Sequence, residues 1–262
     1  MGNLYDELLA LQGIPHAWED WTAYRAALTT FLLTHTEPGA SACIIGAGAC
    51  NDFVLDRLCG HFSELRLLDR DLEAIAAGCE RQNVFLPAER IELLGISDET
   101  YRATADRMLS VLRERPDRAE TQLLREIEAA FASRTPDPRM REAAVADYVI
   151  CCGVHSQLLN IFPQMAAVYG RYAPIDAGRI ESAVRRHIPE AVRELNDMLF
   201  RWAKKGVVIG LERERIGQPG GIDGAWQAME ELLRRGSEIK DRTELLWPFC
   251  PGKTYEMDVL LL

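Results

Sequence analysis

The sequence has little of what metal sites, disulfide frameworks and membrane spans require. Its seven cysteines include no C-x-x-C pair, and its five histidines are scattered along the chain. This spacing argues against a zinc site and favours buried, reduced thiols. No apolar run approaches the roughly 18 residues of a membrane-spanning helix. We therefore expect no metal centre and no membrane-embedded segment.

Basic residues are also in deficit. The chain carries 30 Lys and Arg against 40 Asp and Glu, which gives a net charge of −10. Such a balance disfavours nonspecific binding to nucleic acids and to anionic membranes. The first residues are acidic and lack the basic start and apolar core of a signal peptide. The sequence predicts a cytoplasmic protein with no nucleic-acid or membrane partner.

A glycine turn follows the first predicted strand, which is the apolar run at residues 43–45. Gly46 and Gly48 allow the backbone to turn tightly and to approach a ligand closely. A dinucleotide fingerprint would have a third glycine where this chain has Asn51, followed by Asp52. A carboxylate at that place would repel a pyrophosphate bound at the start of the next helix. The turn therefore favours a nucleoside ligand without phosphate.

Asp69 follows a second apolar run at residues 65–68. In open α/β sheets, ligands bind beyond the carboxyl ends of the strands. A carboxylate there can accept hydrogen bonds from ribose hydroxyls, and a carboxylate such as Asp52 tolerates a sulfonium and an ammonium group. These residues indicate S-adenosylmethionine, with NAD as the alternative.

Four segments, 44–52, 67–71, 146–157 and 247–262, together resemble the class I S-adenosylmethionine-dependent methyltransferases. The resemblance implies a Rossmann-like α/β fold: a mostly parallel seven-stranded sheet with helices on both faces and a C-terminal antiparallel β-hairpin. It also implies an N-terminal helical lid at residues 1–40 and a methyltransferase domain at 41–262 that contains a helical insertion at 99–145. The later strands are expected at residues 91–96, 146–152, 206–215, 244–249 and 254–262.

The resemblance implies where the cofactor binds. Ser97 and Asp98 are expected at the adenine, although residues of these types also cap helices. Tyr24 and Arg25 of the lid are candidates to contact the cofactor, although the neighbouring aromatic residues could simply pack the helix onto the sheet. The expected cofactor contacts are Tyr24, Arg25, Gly46, Ala47, Gly48, Asn51, Asp52, Asp69, Arg70, Ser97, Asp98, Cys152 and Gly153.

His155 is the candidate catalytic residue. It follows the strand at 146–152, where it is expected to face the transferable methyl group. Because the reference pKa of histidine lies near physiological pH, His155 could act as a general base. The alternative is that His155 only orients its loop.

The expected reaction is methyl transfer to a small molecule or a peptide side chain, by in-line attack on the methyl group. No Asn-Pro-Pro-Tyr-type motif specifies the acceptor. The alternatives are an NAD-dependent oxidoreductase and a noncatalytic scaffold with the same fold. Titration with each cofactor separates the first two.

Overall fold

The computed structural model describes Leu8, residues 13–135 and residues 146–262. The predictions for residues 1–7, 9–12 and 136–145, at the start of the lid and the end of the insertion, lie outside these ranges. A single sheet occupies the centre of the molecule. Its strands are β1 (Ser41–Ile45), β2 (Glu64–Asp69), β3 (Ala88–Arg90), β4 (Ala146–Cys152), β5 (Ala203–Arg215), β6 (Gln218–Gly221), β7 (Asp241–Cys250) and β8 (Lys253–Leu261).

Helices surround this sheet. α5 and α6 belong to the segment predicted as an insertion, and α1 and α2 to the predicted lid. The helices are α1 (Ala17–Asp20), α2 (Thr22–His35), α3 (Leu55–His61), α4 (Leu72–Arg81), α5 (Asp98–Glu114), α6 (Ala119–Ser133), α7 (Ile161–Tyr169), α8 (Ala177–Arg185), α9 (Ile188–Trp202) and α10 (Ala225–Arg235). None of the described helices is long and apolar enough to cross a membrane.

The strand order is β3-β2-β1-β4-β5-β8-β7, with β6 paired to β5 outside this path. Strands β1 to β5 are parallel along the path. Strand β8 is antiparallel to both of its neighbours, β5 and β7. This arrangement confirms the Rossmann-like sheet and the C-terminal hairpin that the resemblance implies. The sheet has one strand more than predicted, because β6 is a short glycine-containing segment without an apolar pattern.

Successive side chains along each strand point to opposite faces of the sheet, and both faces are buried. Ile44, Ile150 and Val208 pack on one face with α2 and α3, whereas Ile45 and Val149 pack on the other with α9 and α10. Such alternation follows from the two-residue period of a strand. A further cluster joins α5 and α6 to α7 and α8. The segment predicted as an insertion therefore shares a core with α7 and α8.

The third strand was predicted at the wrong place. The structure has β3 at Ala88–Arg90, and residues 91–96 form an irregular segment. Ile91, Leu94 and Ile96 are nevertheless buried, because they fill gaps between the sheet and the helical cluster. Their apolar character reflects that packing, not a strand.

The central position of β8 makes its side chains part of the core. Leu260 on β8 is 0% exposed, whereas Leu246 on the neighbouring β7 is 59% exposed. We predict that Leu260→Ala lowers the free energy of unfolding by about 2–5 kcal/mol, because it leaves a cavity in a packed interior. The matched control Leu246→Ala should change it by no more than about 0.5 kcal/mol. Urea denaturation followed by circular dichroism measures both, and equal effects would contradict the placement of β8.

Candidate functional site

The turn after β1 adopts backbone conformations that favour glycine. Gly46 has φ 72°, Gly48 has φ 48° and the buried Cys50 has φ 53°. A Cβ atom on Gly46 would lie 2.3 Å from the Val154 side chain, beyond β4. The amide of Gly46 donates to the carbonyl of Leu68 at 2.8 Å. The turn is thereby held against the ends of β2 and β4, in backbone conformations that glycine adopts readily.

Asp69 joins this turn to the end of β2. Its Oδ2 accepts a hydrogen bond from the Gly48 amide at 2.8 Å, and its Oδ1 accepts one from the Asp71 amide at 2.9 Å. Burial raises the pKa of the Asp69 carboxyl, and the two amide donors partly offset that rise. Each carboxylate oxygen has a second lone pair that can accept from a ligand hydroxyl. Asp69 thus lies at the carboxyl end of β2, as predicted, and its contact with a ribose stays a prediction.

Gly78 of α4 and Gln82, which caps the carboxyl end of that helix, support the turn, and no sequence pattern indicated either residue. Gln82, which ends the helix, donates from Nε2 to the Cys50 carbonyl at 3.1 Å and accepts from the Leu55 amide at 2.9 Å. A Cβ atom on Gly78 would lie 2.3 Å from the Ala49 carbonyl oxygen. Gly78 therefore permits the close approach of helix and turn that the third glycine of a dinucleotide motif would otherwise allow.

Arg25 links the predicted lid to the turn. Its Nη1 donates to the Asn51 carbonyl at 3.0 Å, and its guanidinium lies over the ring of Trp18 at 3.6 Å. The Asn51 side chain in turn accepts from Arg81 of α4 at 2.6 Å. The structure thus brings Arg25 and Asn51, two of the predicted cofactor contacts, together through a hydrogen bond between them. Contact of either residue with a cofactor remains a prediction.

Ser97, Asp98 and Arg70 lie together at the start of α5. The Ser97 hydroxyl accepts from the Thr100 amide at 3.2 Å, which is the geometry of an N-cap. Asp98 pairs with Arg70 at 3.2 Å and with Arg90 at 2.9 Å. Ser97 therefore caps α5, which is one of the two roles considered for it. Recognition of adenine by Ser97 or Asp98 stays a prediction.

A second group of residues meets at the carboxyl ends of β4 and β5. We call it the acidic–aromatic cluster: Tyr24 from α2, Asp52 from the turn, Cys152 from β4, Glu212 from β5 and Trp247 from β7. Tyr24 and Trp247 stack with their ring centroids 5.7 Å apart. A Cβ atom on Gly153, next to Cys152, would lie 3.1 Å from Trp247 and 3.8 Å from Glu212 Oε1.

Buried polar atoms are the main feature of this cluster. Tyr24 is 2% exposed, and Glu212 and Trp247 are each 3% exposed. Glu212 Oε1 accepts from the Ser156 hydroxyl at 2.6 Å. Tyr24 Oη, Glu212 Oε2 and Trp247 Nε1 have no hydrogen-bond partner among the residues that the structure describes. Buried polar atoms are normally paired, so the presence of three unpaired ones in one cluster requires an explanation.

The electrostatics of the acidic–aromatic cluster reflect its burial. Burial raises the pKa of Asp52 to about 7, an effect that nearby Arg25 reduces and Glu212 reinforces. Burial also raises the pKa of Glu212, against the lowering effect of the Ser156 hydrogen bond. The pKa of Tyr24 is raised well above its usual value, by burial first and then by Asp52, Cys152 and Glu212. The cluster is thus two carboxyl groups in an aromatic surrounding.

The location predicted for His155 needs correction. His155 is 1% exposed, and its Nε2 is hydrogen-bonded to Asn196 Oδ1 of α9 at 2.9 Å. Asn196 donates in turn to Glu231 of α10 at 2.7 Å. Burial lowers the pKa of His155 to about 4, although Asn196 and Glu231 oppose this. The imidazole therefore points toward the helices behind the sheet, and its neighbour Ser156 is the loop residue that contacts the acidic–aromatic cluster.

Within the described ranges, no three His, Cys, Asp or Glu side chains form a group that could hold a metal ion. The described cysteines are all free thiols.

The strand order, with β8 reversed between β5 and β7, defines the fold class: the chain has the Rossmann-like fold of class I methyltransferases.

Comparison with known proteins adds likenesses at low identity. No family model and no curated protein matches the sequence. The N-methyltransferase NodS from Bradyrhizobium japonicum WM9, solved with S-adenosyl-L-homocysteine, is 13% identical over 98% of each chain, with a TM-score of 0.49. A methyltransferase from Aquifex aeolicus is 11% identical over 98% of each chain, with a TM-score of 0.43.

The contact between Gly78 and the turn can be tested by adding one methyl group. Gly78→Ala should lower the free energy of unfolding by about 1–3 kcal/mol, because the new Cβ would press on backbone that cannot move freely. Gly60→Ala in α3 is the matched control, since nothing lies within 4 Å of its Cβ position. Helix propensity alone should make that control more stable, by up to about 1 kcal/mol. Thermal unfolding measures both, and a gain in stability at both sites would refute the close contact.

The burial of His155 predicts a dependence of stability on pH. Its pKa is lowered from 6.5 to about 4 in the folded chain, so the unfolded chain binds more protons between these values. His155 should therefore reduce stability as the pH falls from about 6.5 to about 4. His155→Gln cannot titrate and should lose this part of the dependence. Denaturant titrations at pH 7 and pH 5 test it, and identical pH dependence in both proteins would show that His155 is solvated.

Proposed function

We propose that this chain is an S-adenosylmethionine-dependent methyltransferase that acts on a small molecule or a peptide side chain. The observation that carries the proposal is the position of Asp69 at the carboxyl end of β2, bonded to the glycine turn after β1. A nucleoside placed there would meet a carboxylate for its ribose hydroxyls and a backbone without side chains in the way. When bound, S-adenosylmethionine supplies an electrophilic methyl group.

The charges beside the turn favour this cofactor over NAD. Asp52 adds a carboxyl group at the end of the turn, so a pyrophosphate bound there would be repelled. A sulfonium and an ammonium would instead be stabilised. In this proposal Asp69 holds the ribose, Gly46, Ala47 and Gly48 present backbone, and the remaining candidate contacts are Tyr24, Arg25, Asn51, Arg70, Ser97, Asp98, Cys152 and Gly153.

The chain's own contribution to the reaction is then chiefly alignment. Holding an acceptor in line with the methyl carbon and the sulfur supplies much of the rate of such a transfer. A proton-accepting role for His155 has less support, because the side chain is 1% exposed, Nε2 is engaged by Asn196, and the nitrogen without a partner among the described residues, Nδ1, is buried. The free thiols and the net charge of −10 support a cytoplasmic location and argue against nucleic acid or membrane as the partner.

Asp69→Asn tests the cofactor. The amide keeps the shape of the carboxylate but loses its charge, and its NH2 group cannot accept from the Gly48 or Asp71 amide that it faces. Hydrogen bonds to a charged group contribute about 1.5–3 kcal/mol. We expect the affinity for S-adenosyl-L-homocysteine, measured by isothermal titration, to fall roughly ten- to a hundredfold. Asp147→Asn is the control: it makes the same change at the start of β4, the opposite end of the sheet, where Asp147 binds Ser41.

Two results would contradict the proposal. Equal weakening by Asp69→Asn and Asp147→Asn would mean that the effect comes from net charge and not from a contact. Binding of NAD, with no binding of S-adenosylmethionine or S-adenosyl-L-homocysteine, would favour an oxidoreductase.

A further inference from the structure

The acidic–aromatic cluster contains more hydrogen-bonding capacity than the chain uses. Tyr24 Oη, Trp247 Nε1 and Glu212 Oε2 are buried, and none of the three has a hydrogen-bond partner among the described residues. Leaving such groups unpaired costs free energy. They derive from α2, β7 and β5, three elements distant in the sequence. The three side chains belong to one cluster, in which Tyr24 stacks on Trp247 and Glu212 acts on the pKa of Tyr24, so a ligand that entered it would meet unpaired donors and acceptors.

The walls of the cluster are aromatic. Trp247 lies 5.7 Å from Tyr24, 5.0 Å from Trp21 and 4.9 Å from Phe249 between ring centroids. Tyr255 is 6.1 Å from Trp247. Aromatic faces attract cations through the ring quadrupole, most strongly where water is excluded. The surroundings therefore suit an organic cation better than an anion or a sugar.

The charges of the cluster point the same way. Its two carboxyl groups are Asp52 and Glu212. Arg25, the cation that acts on Asp52, is already engaged in hydrogen bonds with Asn51, Trp18 and Thr22. Ser156 fixes Glu212 through Oε1 and leaves Oε2 available. Burial of both carboxyls raises their pKa values. A cation bound between them would reverse this effect, since opposite charge favours the ionised carboxylate.

Space lies next to this cluster. A cavity of about 200 Å³ is lined by His155 and Ser156 on one side and by Glu181 and Arg185 of α8 on another. Ser156 therefore stands between the cavity and Glu212. Asp223 also lines the cavity, where it pairs with Arg185 at 2.8 Å.

We propose that the acidic–aromatic cluster is the acceptor pocket and that the acceptor is an amine, bound as its ammonium ion by Glu212 with Tyr24 and Trp247 around it. This inference rests on the proposed methyltransferase function, because it names the substrate class of that site. The ammonium donates a hydrogen bond to Glu212 Oε2. Transfer of that proton to the carboxylate leaves the neutral amine, whose lone pair is then free.

The test compares two probes that differ in charge alone. Choline carries a trimethylammonium group, and 3,3-dimethylbutan-1-ol is its neutral isostere with carbon in place of nitrogen. Isothermal titration of each probe is carried out with S-adenosyl-L-homocysteine at saturation, so that the methionyl part of the cofactor site is filled. Choline should bind at least about tenfold more tightly than the neutral alcohol, as desolvated cation–aromatic contacts imply.

Glu212→Gln assigns the site. The amide keeps a group that can accept from Ser156 but removes the charge, so choline affinity should fall about tenfold or more while the affinity for S-adenosyl-L-homocysteine stays within a few-fold. Glu230→Gln, on the exposed surface of α10, makes the same change in net charge and should alter neither. Should Glu212→Gln not fold, Tyr24→Phe removes the buried hydroxyl alone and should weaken choline binding several-fold.

The remaining outcomes separate the two proposals. Equal affinity for choline and the neutral alcohol, or choline binding unchanged in Glu212→Gln, overturns the amine pocket while cofactor binding stands. Displacement of S-adenosyl-L-homocysteine by choline assigns the cluster to the methionyl group and overturns its role for the acceptor. Choline binding without any binding of S-adenosyl-L-homocysteine refutes the proposed function and leaves only a cation site.

Discussion

The hydrogen bond between the Gly48 amide and Asp69 is the contact on which the arrangement of the site depends. It fixes the turn after β1 to the end of β2, and every other support acts on the same turn. Gln82 binds it from α4, and Arg25 binds it from α2. The turn is therefore held from three directions. A ligand that displaced part of the Asp69 contact would therefore also change the contacts of the turn with α2 and with the end of α4.

The features that could be predicted from the sequence are those that depend on residues close together in the chain. Gly46 and Gly48 lie 23 and 21 positions before Asp69, and the turn and Asp69 are each defined by the strand that they follow. The strand pattern of the sheet could be predicted for the same reason, since residues alternate between two buried faces. The error at β3 has a matching cause. Three exposed residues form the strand, whereas the apolar run beside it fills a gap between the sheet and helices.

The rest of the site depends on contacts across the whole chain. Glu212 and Trp247 carry no local signal, because an acidic residue and an aromatic residue in strands are ordinary. Only the folded sheet shows that both meet Tyr24. The direction of His155 depends likewise on Asn196 and Glu231, 41 and 76 positions away. Gly78 has the role expected of a third glycine in the turn, but it lies in a helix where no turn pattern would reveal it.

The packing of Trp21 against Trp247 has an optical consequence. The two indole rings lie 5.0 Å apart at 73° to each other, one near the start of α2 and the other on β7. Aromatic rings in fixed asymmetric surroundings give rise to near-ultraviolet circular dichroism, which disappears when tertiary packing is lost. This protein therefore has a built-in spectroscopic reporter of whether its N-terminal helices are seated on the sheet. That reporter can change while the far-ultraviolet spectrum, and thus the helix content, remains the same.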